Sequence, residues 1–281
     1  MIIFTTKAYN AEKTLSRAIE SVLGQTCGDF AYHLCDNGSE DGTGDIIREY
    51  AAKDRRIVPF FNARNQEWTA ESRKNVLELA RHLGSDDWLC VLDADDDYAP
   101  SFLEEMLGFV KAHGLDYAAC RSNFVDEASG AVQNEYILAR NLVMEGEGFG
   151  TLFPDYFRFM GARWGKLQCG SLFERVDFAA LDRYLADLAL SHRFDTATML
   201  WYLRHSSRAG VLARLLHNYR QYPQSHRRQG LDSKVQDNHK MPNVYREFLT
   251  VKVGHVSPEN EEYIMKVFER SMRRTLTEKG A

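Results

Sequence analysis

Residues 93–97 read Asp-Ala-Asp-Asp-Asp and follow directly on the apolar run Trp88-Leu89-Cys90-Val91-Leu92. Like charges this close raise the cost of ionising one another, and isolated carboxylates are expensive to desolvate. Either solvent or a cation must absorb the charge. In an extended or tightly turned segment, residues two apart project to the same side, so Asp93 and Asp95 can approach one divalent cation directly or through its water. Hard cations of this kind keep several waters and bridge to substrate phosphates. The plainer alternative is a solvated turn in which one aspartate complements the dipole of a helix after Pro100. Where the turn sits in the fold decides between them.

Short apolar runs alternate with helical patterns through the first 120 residues. IIFTT precedes a helix over about 11–24, FAYHLC one over 45–52, RIVPFF one over 70–83, and WLCVLD one over 101–112. This alternation with short connections predicts crossovers and a mostly parallel sheet flanked by helices. Ligands of such sheets gather beyond the carboxyl ends of the strands. Polar residues stand at all four ends: Thr5, Thr6 and Lys7; Asp36-Asn37-Gly38-Ser39; Asn62 to Asn65; and the aspartate cluster. Their convergence favours the cation. Asp36, at a strand tip, can accept hydrogen bonds from a base or a ribose, and Gly38 permits the positive φ of a turn. Asp41 or Thr43 reads as the cap of the next helix. Arg73, near the start of the third helix, could pair with a diphosphate or a base carbonyl.

From Leu115 the pattern loosens into LDYAAC, a turn around Ala128-Ser129-Gly130, AVQNEYIL, the Gly-rich GEGFG, and helical segments near 150–160 and 173–206. Residues 211–225 read as a strand ending in a polar loop, SHRRQGLDSKVQDNHK as a mobile loop by composition, and 258–276 as a terminal helix with a basic end. At 281 residues, 44% hydrophobic, the chain can bury one large domain, or one domain plus a smaller appendage. Thirty-five Lys and Arg against 40 Asp and Glu give a formal charge of −5, so the balance argues for no nucleic-acid partner. The five cysteines are odd in number and scattered, without a C-x-x-C pair for zinc or redox chemistry, and read as reduced, mostly core thiols. Met1 leads into Ile2-Ile3-Phe4 with no basic n-region or cleavage site, and no run approaches 18 apolar residues. The expectation is a cytoplasmic protein that does not span a membrane.

Taken together, these stretches resemble glycosyltransferase family 2. The family's opening P-T-Y-N-A-E and S-V-L-x-Q-T correspond to Lys7-Ala8-Tyr9-Asn10-Ala11-Glu12 and Ser21-Val22-Leu23-Gly24-Gln25-Thr26. Its V-D-D-G-S-x-D-G-T corresponds to residues 35–43, its A-R-N-x-G-L-E-L-A to residues 72–80, and its F-L-D-A-D-D to residues 91–96. Further on, Arg163-Trp164-Gly165-Lys166-Leu167 resembles a W-N-K-L segment. Phe194-Asp195-Thr196 resembles the start of the family's (E/A)-D-x-x-x-L-x-x-R-L helix, and residues 217–225 resemble Y-Y-Y-R-x-H-P-x-S. The likeness covers about residues 1–230. The chain departs at Lys7, where Pro or Thr is usual, in a loop between Asn65 and Arg73 that is one residue longer, and at Tyr222, where relatives often have His.

The resemblance implies an α/β chain of the GT-A fold, with a Rossmann-like, mostly parallel central sheet. Residues 1–120 would form a nucleotide-binding half, 121–230 an acceptor half, and 231–281 a mobile loop and C-terminal helical extension. It further implies inverting transfer of a sugar from a nucleotide-diphosphate donor, a UDP-sugar, to an acceptor hydroxyl in cell-surface polysaccharide or glycoconjugate synthesis. Asp95, with Asp93, would hold Mg²⁺ or Mn²⁺, and His217 or His226 would substitute for the family's third ligand. Asp195 would be the catalytic base; its plainer role is a first-turn acid favouring its helix. Thr6, Lys7, Tyr9, Asp36, Arg73, Asp93 and Ala94 would bind the nucleotide, and Asp96, Trp164 and Lys166 would line the donor or acceptor pocket. The acceptor would be a carbohydrate or lipid-linked, with the terminal helix and its Arg270, Arg273 and Arg274 as a possible peripheral membrane contact.

Three rival readings remain. A nucleotidyltransferase needs a Gly-rich loop after the first strand, and TTKAYNAE has no glycine. A phosphatase would carry its D-x-D after the first strand, not the fourth. A nucleotide-sugar-binding scaffold without catalysis is favoured by Tyr222 and opposed by the retention of Asp93, Asp95 and Asp195.

Overall fold

Strand β1 (Ile2–Ala8) is buried along nearly its whole length, which requires neighbours on both edges and layers on both faces. It pairs in parallel with β2 (Ala31–Asp36) and with β4 (Trp88–Val91), and β3 (Ile57–Phe61) joins β2 in parallel. The crossovers carry α1 (Leu15–Leu23) and α2 (Thr43–Lys53). Helix α1 buries Leu15, Ala18, Ile19 and Val22, the i, i+3, i+4, i+7 stripe of an amphipathic helix. Helix α3 (Phe102–His113) ends at Gly114 in the left-handed region. The computed structural model describes residues 1–66, 78–133, 138–155, 165–190, 193–222 and 231–280. The helix expected over 70–83 falls within them only from residue 78, where the chain is helical to residue 81.

The other half of the sheet is mixed. Strands β5 (Asp97–Tyr98), β6 (Tyr117–Asp126), β7 (Val132–Gln133), β8 (Leu142–Glu145), β9 (Gly165–Cys169) and β10 (Arg208–Gln221) complete a single sheet whose main path runs β3-β2-β1-β4-β9-β6-β10-β5. Strand β9 is antiparallel to both β4 and β6, and β10 is parallel to β6. One core lies around β1, β2, α1 and α3. A second gathers the helices that follow: α4 (Gly148–Thr151), α5 (Gly170–Phe173), α6 (Phe178–Leu188), α7 (Phe194–His205), α8 (Leu231–Val253) and α9 (Pro258–Gly280).

One sequence expectation is corrected here. LDSKVQDNHK, expected as loop, is the first part of α8. Its polar residues are loop-like by composition, yet Asp237 and Asn238 are buried and hydrogen-bonded, so the helix forms through tertiary contacts. All five cysteines are free thiols, four of them buried. Among the described residues no helix is long and apolar enough to cross a membrane.

Candidate active site

The ends of β1 and β2 are laced into one scaffold. Asn37 N–H donates to the Ala8 carbonyl at 2.7 Å, and Ala11 N–H to Thr43 Oγ1 at 2.8 Å. The N-cap of α2 is Gly42, not Asp41 or Thr43 as expected, with Asp41 just before it accepting from the Thr43 amide at 3.0 Å. Gly38 sits at φ +74°, and a Cβ on it would lie 2.3 Å from the Arg64 carbonyl carbon, so the turn packs backbone on backbone. Asn37 is fully engaged: its amide donates to Asn65 Oδ1 (2.8 Å) and the Gln66 carbonyl (3.1 Å), and its oxygen accepts from Asn62 (3.0 Å). The turn therefore fixes Asp36, whose Oδ1 accepts from Ser39 N–H at 2.9 Å. Thr6 is consumed structurally, bonded to Tyr32 Oη (2.9 Å) and the Leu92 carbonyl (2.8 Å). Lys7 is held below its ordinary pKa by burial. Tyr9 is exposed just beyond the strand.

The aspartate cluster begins where β4 ends. Leu92 N–H still bonds the Thr5 carbonyl at 3.0 Å, and a turn then closes from Asp96 N–H to the Asp93 carbonyl at 3.2 Å around the half-buried Ala94. Asp93 is accessible to solvent just beyond the carboxyl end of β4. Burial, then the charges of Asp96 and Asp95, push its carboxyl up to about 7, against the opposing influence of His217 and Lys166. Burial and Asp96 likewise push Asp95 up to about 6. The structure thus brings Lys166, on β9, within electrostatic reach of Asp93.

Asp96 and Asp97 have other partners. Asp96 accepts from Arg220 N–H at 2.8 Å, and its second oxygen lies 3.3 Å from His217 Nε2 without a well-directed hydrogen bond. His217 is a buried strand residue whose Nδ1 is 2.9 Å from Ser122 Oγ. Asp97 binds Asn218 Nδ2 at 2.6 Å and pairs with Arg220. Among the described residues no group of three His, Cys, Asp or Glu side chains is arranged to hold a metal ion. Arg73, Trp164 and His226 lie outside the described residues.

Asp195 stands in the first turn of α7, where its carboxylate accepts from Thr196 N–H at 2.6 Å. Among the described residues it makes no hydrogen bond or ion pair with the aspartate cluster.

Arg17 escaped the sequence reading. From α1 it donates to the Asp95 carbonyl at 3.4 Å and to Tyr222 Oη, and approaches Asp97 at 3.7 Å and Glu127 at 3.5 Å. Arg220 pairs with the same two acids. Two guanidinium groups therefore pair with Asp97 and Glu127, Arg17 also offsets Asp95, and His217 and Lys166 offset Asp93.

Comparisons with known proteins agree with this architecture. The family model described as "Glycosyl transferase family 2" matches residues 4–169. An uncharacterized glycosyltransferase of Methanocaldococcus jannaschii, MJ1057, is 33% identical over 127 residues, covering 44% of this chain and 42% of its own. The chondroitin synthase of Escherichia coli is 32% identical over 185 residues, covering 63% of this chain and 25% of its own. The chain thus spans less than half the length of these curated relatives. The solved structure of Staphylococcus aureus TarS 1–349 with UDP-GlcNAc superposes with a TM-score of 0.64 over 96% of this chain and 81% of that one; at 13% identity the likeness is one of fold. The matched residues run from β1 through the aspartate cluster to the end of β9, and the chain belongs to glycosyltransferase family 2.

Proposed function

We propose that the chain transfers a sugar, with inversion, from a UDP-sugar to an acceptor hydroxyl at the carboxyl ends of the parallel strands, where Asp93 and Asp95 stand. The observation that carries this reading is the placement of Asp93 and Asp95 just beyond the carboxyl end of β4, parallel to β1, where burial and neighbouring carboxylates raise both carboxyls. Burial and neighbouring carboxylates disfavour their ionised forms in the metal-free chain, and their hard oxygen donors suit Mg²⁺ or Mn²⁺. When bound by Asp95 and Asp93, such an ion would stabilise the charge that develops on the leaving phosphate oxygen. His217 lies against Ser122 and Asp96, so among the described residues the chain's own contribution to holding the ion rests on the two carboxylates.

In this reading residues 1–120 form the nucleotide-binding half and 121–230 the acceptor half. Asp36, with the backbone near Thr6, Lys7 and Tyr9, grips the base and ribose, and Arg73 assists at the diphosphate. Asp195 accepts the proton of the acceptor hydroxyl as its oxygen attacks the anomeric carbon opposite the departing diphosphate. Lys166, Asp96 and Trp164 border the donor sugar or the acceptor. The S. aureus TarS structure of like fold is a complex with UDP-GlcNAc, which supports a UDP-sugar donor, and one relative is named a chondroitin synthase, which supports a carbohydrate acceptor.

Chelator-treated protein, incubated with a panel of UDP-sugars with and without Mn²⁺, tests the proposal. Release of UDP should require the metal and vanish in Asp195→Asn while UDP affinity is retained. Near-normal turnover by Asp195→Asn would remove it as the base. Silence with every donor, despite tight UDP binding, would favour the scaffold reading.

A further inference from the structure

Helix α7, which carries Asp195, is tied to α8 at both ends. At its start, Arg193 N–H donates to Asp237 Oδ2 at 3.2 Å, and the Arg193 guanidinium donates to Asn238 Oδ1 at 3.1 Å and to Ser271 Oγ of α9 at 2.9 Å. Ser271 donates in turn to Asn238 Oδ1 at 2.9 Å, and Asn238 Nδ2 to Thr275 Oγ1 at 3.3 Å. At its other end, Lys252 Nζ donates to the carbonyls of Arg204, in the last turn, at 3.4 Å, and of Ser206, just after it. Between these ties Arg204 approaches Glu247 at 3.7 Å. The order of partners shows that the two helices run side by side in the same direction.

Apolar packing alone would hold two helices together. Asp237, Asn238 and Thr275 are instead polar and buried, a choice that is tolerable only because each is hydrogen-bonded, and that fixes the register of the helices as apolar contacts do not. The network converges on Arg193, two residues from Asp195. Tyr245, buried on α8, senses the charges of both Arg193 and Asp195, which places the Asp195 carboxylate beside the same helix.

We propose that α8 and α9 set the position of Asp195, and that Arg193 is the positioning residue through which they do so. The inference rests on the reading of Asp195 as the base. A displacement of about 1 Å at a reacting group can cost on the order of a hundredfold in rate. The C-terminal helices are then part of the catalytic apparatus.

The test is steady-state kinetics of Arg193→Met in the full chain, with UDP affinity by calorimetry and folding by circular dichroism. The folded variant should lose about 10–100-fold in kcat at an unchanged UDP Kd, and Arg193→Lys, which keeps a cationic donor without the guanidinium's fork, should recover part of it. A merely structural role would lower Tm and leave the kcat of the folded protein alone. If Arg193→Met does not fold, Asn238→Ala, which removes the guanidinium's acceptor, is held to the same criterion. A folded variant with wild-type kcat, beside an inactive Asp195→Asn, would overturn this inference while sparing the base. An active Asp195→Asn would overturn both.

Discussion

His217 Nε2 lies 3.3 Å from Asp96 Oδ2, and both side chains are closed to solvent. They come from different halves of the chain: Asp96 from the turn after β4, His217 from the middle of β10. With Arg220 N–H on the other Asp96 oxygen, this contact joins the turn after β4 to β10.

Removing the imidazole should therefore be costly. Leaving buried polar groups without their partner costs about 1–3 kcal/mol, and His217→Leu, which strands Ser122 Oγ and Asp96 Oδ2, should lose about that much in urea denaturation. Asp96→Asn should lose less than half as much, because the amide keeps the acceptor for Arg220 and offers an N–H toward His217. Equal stability of His217→Leu and the wild type would refute the coupling.

The turn after β2 offers a sharper probe of nucleotide binding. A Cβ on Gly44 would lie 2.8 Å from Asp36 Oδ2, so Gly44→Ala must displace that carboxylate even though alanine favours the helix. We expect UDP affinity to fall roughly tenfold, about 1.4 kcal/mol, with thermal stability nearly unchanged, and Asp36→Ala to show the same loss. Wild-type UDP affinity in both variants, by calorimetry, would place the base elsewhere.

Much of this site was readable because its signals are local. The stripe of Leu15, Ala18, Ile19 and Val22 declared α1, and once strands alternated with helices, Asp36, Asp93 and Asp95 had to meet at one edge of the sheet. Arg17 was not readable in this way. It stands off that stripe, as a surface arginine would, and its partner Tyr222 is 205 residues away. The start of α8 failed for the same reason, since the groups that satisfy Asp237 and Asn238 come from the start of α7 and from α9. Non-local polar pairing leaves no periodicity.

Asp93 and Asp95 should also leave a mark on stability against pH. With carboxyls raised to about 7 and about 6, the native chain holds protons that the unfolded chain has already released above about pH 4. Their contribution is fully present below that pH and is lost as pH rises through about 6 to 7. In metal-free buffer, Asp95→Asn should raise Tm at about pH 8 by about 2–4 °C, roughly 1 kcal/mol for a chain of this size. At about pH 4 it should change little. A pH–Tm profile parallel to that of the wild type would contradict the shifts.

The central claim is that the aspartates after β4 hold a cation against a nucleotide diphosphate. Calorimetric titration of UDP into wild type and Asp95→Asn, each with and without Mn²⁺, tests it most directly. Mn²⁺ should strengthen UDP binding to the wild type by at least about tenfold and do nothing for Asp95→Asn. Equal enhancement in both proteins would contradict the account.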